Sequence, residues 1–239
     1  MKPMFVRDVA DQGARRSIQR AADEAGNPEI GEQPAAAQLH WVEIEPEADY
    51  FDEARAMAAA AWGSLTCAEK TKFPDFRGLH WPGRMHEVVR AGSGQRWLLE
   101  GAHNPSGMET SCRALQREER WKNPWALLFG STPQSEMDAM LEPLVNLCRR
   151  HPPVAIVLTE PQFGRYPGVP CTELANALGR HDLQISASFA NPQEAVAWVE
   201  AQSSTLTDVL CIGSLYLAGN VLQALGADDD EALSIVAKD

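Results

Sequence analysis

The sequence predicts an α/β fold: a Rossmann-like, mostly parallel sheet flanked by helices, preceded by a small helical N-terminal segment. Short apolar runs alternate with helical stretches over residues 85–225, and such alternation favours parallel strands covered by helices on both faces. Residues 1–80 lack this alternation and are charged and alanine-rich instead. We therefore divide the chain into a mainly helical N-terminal segment, residues 1–80, and an α/β domain, residues 81–239.

The N-terminal segment is predicted to contain two helices and one short strand. The second helix is indicated by apolar residues at helical spacing, and its small side chains indicate close packing against another surface. These residues are Phe51, Ala54, Ala58 and Ala61. The predicted elements are a helix over Val9–Ala25, a strand over Leu39–Ile44 and a helix over Asp49–Leu65, with a loop over Gly26–Ala37 and a linker over Thr66–Pro82.

The α/β domain is predicted from its alternating strands and helices. Apolar β-type runs mark the strands, at Glu87–Arg90, Arg96–Leu99, Trp125–Phe129, Val154–Thr159, Gln184–Ala187 and Asp208–Ile212. Helical stretches lie between most of them, at Gly107–Arg120, Ser135–Arg150, Cys171–Arg180, Pro192–Ala201 and Leu215–Leu225. The segment Ala91-Gly92-Ser93-Gly94 joins the first two strands, which indicates a hairpin there.

The turn after the second predicted strand is the first candidate site, because ligands of such sheets bind at the carboxyl ends of the strands. Glu100 ends an apolar run and Gly101 permits a tight turn. Asn104 is placed to cap the next helix and Pro105 to open it. This structural role does not explain Glu100 and His103, which we expect to point to solvent where a ligand binds. An ordinary core or surface role is the alternative for His103.

The turn after the last predicted strand is the second candidate site. The strand ends at Gly213, and Ser214 is placed to cap the following helix. The Ser214 hydroxyl and the free amide groups of that helix would form a corner suited to an anion. A plain helix cap and a carboxylate-binding role both remain open for Ser214.

Composition excludes several classes of function. Lysine and arginine number 21 against 33 acidic residues, a net charge of −12, so the chain lacks the basic surface that nucleic-acid binding requires. No apolar run has the roughly 18 residues that span a bilayer, and the N-terminal sequence MKPMFVRDVADQ has no apolar signal region. We expect a cytoplasmic protein without nucleic-acid or membrane partners. No Cys-x-x-Cys pair occurs among the five cysteines, and we predict no metal site.

Three motifs in this domain resemble folylpolyglutamate synthases, members of the Mur ligase superfamily. The segment LLEGAHNPSG is similar to the family signature Leu-Asp-Gly-Ala-His-Asn-Pro. WPGR stands before it, and CIGSLYLAGNVL follows about a hundred residues later, similar to the family's closing Gly-Ser-Leu-Tyr-Leu motif. The resemblance implies that residues 81–239 form a domain like the Mur ligase C-terminal domain. A weaker likeness, DEARAMAAAAW, implies that residues 1–80 keep a remnant of the central ATPase domain.

The resemblance also implies an activity and roles for four residues. In that family ATP phosphorylates the γ-carboxylate of a folate, and the amine of free glutamate attacks the acyl phosphate to give an amide. Arg84 would reach the nucleotide phosphates, which a guanidinium group suits. Glu100 stands at the family's aspartate and would help to hold ATP. His103 and Ser214 match positions that help to bind glutamate. The structural turn residues of these motifs are Gly101, Asn104, Pro105 and Gly213.

The sequence also departs from the family pattern. No Gly-x-x-x-x-Gly-Lys-Ser/Thr string, the loop that cradles ATP phosphates, occurs in the 239 residues. Glu53 stands where the family has an asparagine near the adenine. Without a phosphate cradle or a metal site the charge of phosphoryl transfer has no stabiliser, so we assign no catalytic residue. We predict a folylpolyglutamate synthase-like ligase component that binds glutamate or a folate-like molecule. It would use ATP and magnesium only with a P-loop ATPase-domain partner. The alternatives are a non-catalytic ligand-binding or protein-interaction relative, and a fragment of a truncated gene.

Overall fold

A computed structural model of the chain describes residues 2–8, 12–25, 37–45, 50–65 and 81–229. The chain divides into two compact units, Met1–Arg77 and Gly78–Asp239. The predicted loop over Gly26–Ala37 and the linker over Thr66–Pro82 lie almost wholly outside the described residues. None of the helices in the described ranges is long and apolar enough to cross a membrane.

The first unit contains two helices and a small parallel sheet. Helix α1 runs over Gln12–Ala25 and helix α2 over Tyr50–Gly63, close to the two predicted helices. Strand β2, Ala37–Val42, pairs in parallel with strand β1, Lys2–Arg7, which the sequence analysis did not predict. The run KPMFVR is short and carries charged ends and a proline, so its strand state depends on pairing with β2 rather than on local pattern.

The second unit is a six-stranded sheet with helices on both faces, as predicted. Its strands are β3 (His86–Val89), β4 (Arg96–Glu100), β5 (Trp125–Phe129), β6 (Ala155–Thr159), β7 (Ala187–Phe189) and β8 (Asp208–Ile212). Its helices are α3 (Pro105–Leu115), α4 (Met137–Arg150), α5 (Cys171–Gly179), α6 (Pro192–Glu200) and α7 (Leu215–Leu225). The strand order is β3-β4-β8-β5-β6-β7, and only β3 runs antiparallel to its neighbour.

The antiparallel edge follows from the predicted hairpin between β3 and β4. Gly92 and Gly94 have φ angles of +92° and +69°, and a residue with a Cβ atom rarely adopts such values. The Arg90 amide donates to the Gln95 carbonyl at 2.9 Å and closes the turn. The remaining strands are linked through helices, as parallel pairing requires.

The central strands are buried on both faces, which explains why their sequences are apolar except for Thr159 at the end of β6 and Asp208 at the start of β8. Every residue of β5, β6 and β8 is buried. Side chains alternate between a core shared with α3, α4 and α5 and a second core shared with α6 and α7. Each fully buried large apolar side chain contributes roughly 1.5–3 kcal/mol. These two cores fix the sheet, and the sheet fixes the turns at its carboxyl edge.

Most predicted elements of the second unit have bounds within two residues of the structure, and two differ by three residues or more. Helix α3 ends at Leu115 rather than Arg120, because the chain turns back and buries Trp121, whose indole nitrogen donates to the Leu115 carbonyl. Strand β7 begins at Ala187, three residues later than predicted. Leu183 and Ile185 are apolar because they pack against the core from outside the strand ladder.

Candidate functional site

The turn that joins β4 to α3 has the capping geometry predicted from its sequence. The Asn104 side chain accepts a hydrogen bond from the Gly107 amide at 2.7 Å. Pro105 occupies the first turn, where its missing N–H is not needed. The prediction that Asn104 and Pro105 shape the start of the helix is confirmed.

Glu100 is buried at the end of β4, and the expectation that it points to solvent is wrong. Only 3% of the residue is exposed. One carboxylate oxygen accepts from the Arg84 guanidinium at 2.9 Å, and the other accepts from the Met85 amide at 2.9 Å. Because a buried carboxylate needs a partner, the WPGR segment supplies both a cation and an amide to it. Arg84 and Glu100, two predicted nucleotide contacts, therefore bind each other.

Gly101 brings the WPGR turn, the β4 turn and helix α7 into contact. Its amide donates to the Gly83 carbonyl at 2.7 Å. A Cβ atom on Gly101 would lie 2.2 Å from the end of the Leu215 side chain and 3.1 Å from that same carbonyl. The Leu215 side chain also reaches Gly83, whose φ of +73° favours glycine. Residues from three distant parts of the sequence thus meet at one place on the sheet edge.

His103 follows in the same turn and is half-buried. Its Nδ1 lies 2.8 Å from the Gly101 carbonyl oxygen. Because a carbonyl oxygen only accepts, Nδ1 carries the proton, and this contact fixes both the tautomer and the direction of the ring. In the neutral imidazole Nε2 is then an acceptor, suited to a donor such as an ammonium group. The predicted glutamate-binding role of His103 stays a prediction.

Ser214 caps helix α7, as predicted, but it is buried. Its hydroxyl oxygen accepts from the Tyr216 amide at 3.1 Å, and the residue is 2% exposed. Gly213, just before it, has a φ of +119°, and a Cβ atom there would lie 2.5 Å from the Gly130 carbonyl. Both residues therefore hold the turn in shape. The carboxylate-binding role of Ser214 stays a prediction. In that role the buried hydroxyl would contact the ligand from below the protein surface.

A second group of exposed side chains at this edge was missed by the sequence analysis. The loop over residues 160–168, which follows β6, carries two exposed aromatic rings and an exposed arginine. They are Phe163, Arg165 and Tyr166. The signal was present in the run EPQFGRYPGVP, where aromatic and glycine residues follow the carboxyl end of a strand, but no known motif drew attention to it.

The Glu100 carboxylate and the Cys148 and Cys171 thiols are buried within the second unit. The Glu100 carboxylate is occupied by Arg84 and the Met85 amide. In the ranges covered by the structure, no three His, Cys, Asp or Glu side chains cluster as metal ligands. Burial raises the pKa of the Cys171 thiol to about 11 and of the Cys148 thiol to about 12, so both thiols stay protonated at neutral pH.

Comparison with protein-family models and with curated proteins finds no match to this sequence. Solved structures do match. The folylpolyglutamate synthase of Thermotoga maritima is 14% identical with a TM-score of 0.59, over 98% of this chain and 57% of its own. The ligand-free bifunctional folylpolyglutamate synthase/dihydrofolate synthase of Yersinia pestis is 17% identical with a TM-score of 0.64, over 94% and 54%. A bifunctional synthase with Mn, AMPPNP and L-glutamate bound scores 0.65 at 17% identity, over 94% and 53%.

The chain has the folylpolyglutamate synthase fold. It spans little more than half the length of these solved structures. The fold relationship predicted from the three sequence motifs is therefore confirmed. The roles of Arg84, His103 and Ser214, and the origin of residues 1–80 in a central domain, remain predictions.

Proposed function

We propose that this chain is a folylpolyglutamate synthase-like ligase component, which holds the incoming glutamate while ATP activates a folate γ-carboxylate. The nucleotide, the magnesium ion and the phosphate-binding loop would come with a P-loop ATPase-domain partner. His103 and Ser214 would bind glutamate, and Arg84 would reach the nucleotide phosphates. The chain alone is expected to bind a substrate but not to turn it over.

The observation that carries the proposal is the convergence of the three family-like motifs on one edge of the sheet. Gly83 and Gly101 are joined by a 2.7 Å hydrogen bond, and Leu215, which follows Ser214, packs on both glycines. His103 lies two residues beyond Gly101, with its ring direction fixed by that glycine's carbonyl. A substrate-binding histidine needs a rigid turn of this kind, because the position of its ring depends on the contacts that support it.

The Arg84–Glu100 pair favours a second function, that of a non-catalytic ligand-binding or protein-interaction relative. A guanidinium group that already binds a buried carboxylate at 2.9 Å has one fewer face for phosphate. If the pair stays closed in every state, the nucleotide role is lost while His103 remains available. The two functions therefore differ in whether this chain contacts ATP–magnesium in any state.

Calorimetric titration of the whole chain with L-glutamate, a reduced folate and ATP–Mg²⁺, singly and together, tests the proposal. We expect heat from glutamate or folate and none from ATP–Mg²⁺ alone. The His103→Ala variant should weaken glutamate binding, whereas His181→Ala, at a half-buried histidine outside the turn, should not. Absence of heat from glutamate and folate would refute the substrate-binding role.

A turnover assay tests the need for a partner. The chain is incubated with ATP–Mg²⁺, a reduced folate and L-glutamate, and ADP and γ-glutamyl product are measured. We expect neither from the chain alone, because the sequence provides no loop to stabilise the transferred phosphoryl group. Product formation by the chain alone would refute the dependence on a P-loop partner. A neighbouring reading frame that encodes an ATPase domain would support it.

A further inference from the structure

The loop over residues 160–168 forms an open pocket that the proposed function does not use. With Ala190, the loop lines a solvent-open depression of about 530 Å³ beside the carboxyl end of β6. This volume lies within the range of small-molecule sites, roughly 300–1,000 Å³. The pocket shares no residue with the two turns described above. A ligand of this pocket would therefore contact residues other than those of the two turns.

The loop is held rigidly against the rest of the second unit. The Gln162 amide donates to the Asn220 side-chain oxygen at 2.8 Å, and the Asn220 side-chain nitrogen donates back to the Gln162 carbonyl at 3.2 Å. Gly164 packs so closely on the Tyr216 ring that a Cβ atom would lie 2.9 Å from it. Gly168 packs equally closely on Pro161. A pocket built on such a loop loses little conformational entropy when a ligand enters.

Phe163 presents an aromatic ring that nothing in the described chain covers. Its exposed fraction is 86%, the highest among the exposed large hydrophobic residues. Its φ angle is +59°, in the left-handed region that disfavours a residue with a side chain. The braced loop thus keeps a bulky apolar ring in solvent in an unfavourable backbone conformation. Strain of this kind clusters at binding sites.

Arg165 supplies a positive charge next to the rings. Its guanidinium carbon lies 5.5 Å from the centre of the Tyr166 ring, and Tyr166 is itself 55% exposed. In the described ranges no carboxylate lies within salt-bridge distance of Arg165. Glu160, the acid in the loop, accepts instead from the Cys171 amide at 3.0 Å. Arg165 is therefore preorganised by the ring to pair with an anion.

We propose that this pocket binds a planar aromatic carboxylate. The ligand ring would stack on Phe163 and Tyr166, and its carboxylate would pair with Arg165, whose planar fork matches a carboxylate in two hydrogen bonds. One cation balances the single charge of a carboxylate better than the double charge of a phosphate. The proposal does not depend on the proposed ligase function, because the residues differ.

The first test compares three probes by ligand-observed NMR and calorimetry on the whole chain. 2-Naphthoate carries both the ring and the charge. Cyclohexanecarboxylate keeps the charge without an aromatic face, and 2-naphthamide keeps the ring without the charge. We expect 2-naphthoate to bind at least about tenfold more tightly than either control, since each lacks one of the two interactions.

Variants then locate the binding site. Phe163→Ala and Arg165→Gln should each weaken 2-naphthoate binding at least about tenfold. Phe163→Gly should weaken it similarly while raising the melting temperature, because glycine relieves the positive φ. The matched controls are Arg150→Gln and Val154→Ala, exposed side chains outside the loop, and they should leave binding unchanged.

Three results would overturn the proposal. One is no detectable 2-naphthoate binding up to about 10 mM, which would leave the loop as a contact for a macromolecule instead. Another is equal affinity for all three probes, which would show non-specific association. The third is binding that survives both Phe163→Ala and Arg165→Gln, which would place the ligand elsewhere.

Discussion

Replacement of Glu100 by glutamine tests whether the buried pair with Arg84 stabilises the second unit. The carboxylate is 3% exposed and Arg84 is 15% exposed, so solvent screens their attraction weakly. Glutamine has nearly the same shape but only one acceptor oxygen. It therefore loses either the bond from Arg84 or the bond from the Met85 amide, both 2.9 Å long.

The size of the effect follows from these contacts. Loss of one hydrogen bond to a charged group costs about 1.5–3 kcal/mol. Removal of one partner from a buried ion pair costs about 3–5 kcal/mol, because the other charge is left uncompensated. The 15% exposure of Arg84 lets water compensate it in part, so we expect Glu100→Gln to lower the free energy of unfolding by about 3 kcal/mol. For a unit of this size that is a fall in melting temperature of about 6–12 °C.

Urea unfolding followed by tryptophan fluorescence measures this change, since Trp97 and Trp125 are buried in the second unit. Glu109→Gln, at an exposed position on α3, is the matched control and should change stability by less than about 0.5 kcal/mol. A double-mutant cycle with Arg84→Met should give a coupling energy of about 2 kcal/mol. Coupling near zero would refute the claim that Arg84 and Glu100 stabilise the unit as a pair.

Four further predictions address the turns and the thiols. Asn104→Ala should cost about 1 kcal/mol by urea unfolding as a lost helix cap, while His103→Ala should leave the melting temperature nearly unchanged; the reverse order would contradict the division of roles in this turn. Gly213→Ala should lower the free energy of unfolding by about 3 kcal/mol, because of backbone strain and the clash with the Gly130 carbonyl. An unchanged melting temperature by scanning calorimetry would show that the turn shifts to accommodate the side chain. In a Cys67→Ser variant at pH 8, iodoacetamide should label no cysteine rapidly, because a thiol of pKa about 11 is ionised only about one part in a thousand; labelling should appear only in urea, and rapid labelling of the native chain would contradict the burial.

The sheet was predictable because its strands are specified locally and on both faces. The run at β5 is apolar throughout, the run at β8 is apolar after Asp208, and both match the predicted bounds. Helix α7 also has its predicted bounds, since Ser214 caps its start and Gly226, with φ of +62°, terminates it. The strand β1 escaped prediction because it is stabilised by a partner some thirty residues away rather than by its own pattern.

The site was predicted only in part, for a physical reason. The capping roles of Asn104, Pro105 and Ser214 depend on neighbours within three residues, which a sequence displays directly. The burial of Glu100 depends on Arg84 and Met85, fifteen or more residues away, whose approach follows from the hairpin and the WPGR turn. The sequence around Glu100 does not by itself indicate that its carboxylate pairs with Arg84 of the preceding segment.

The Arg84–Glu100 ion pair also limits how Arg84 could bind a nucleotide. For Arg84 to reach phosphates it must leave Glu100, and a cost of about 3 kcal/mol would weaken nucleotide binding about a hundredfold. Phosphates already held by a partner's loop could offset that cost, because they offer a concentrated negative charge at a fixed position. A lone nucleotide in solution offers no such advantage. The proposed ligase component should therefore respond to ATP only in the presence of a P-loop partner, whereas the non-catalytic relative should not respond in either case.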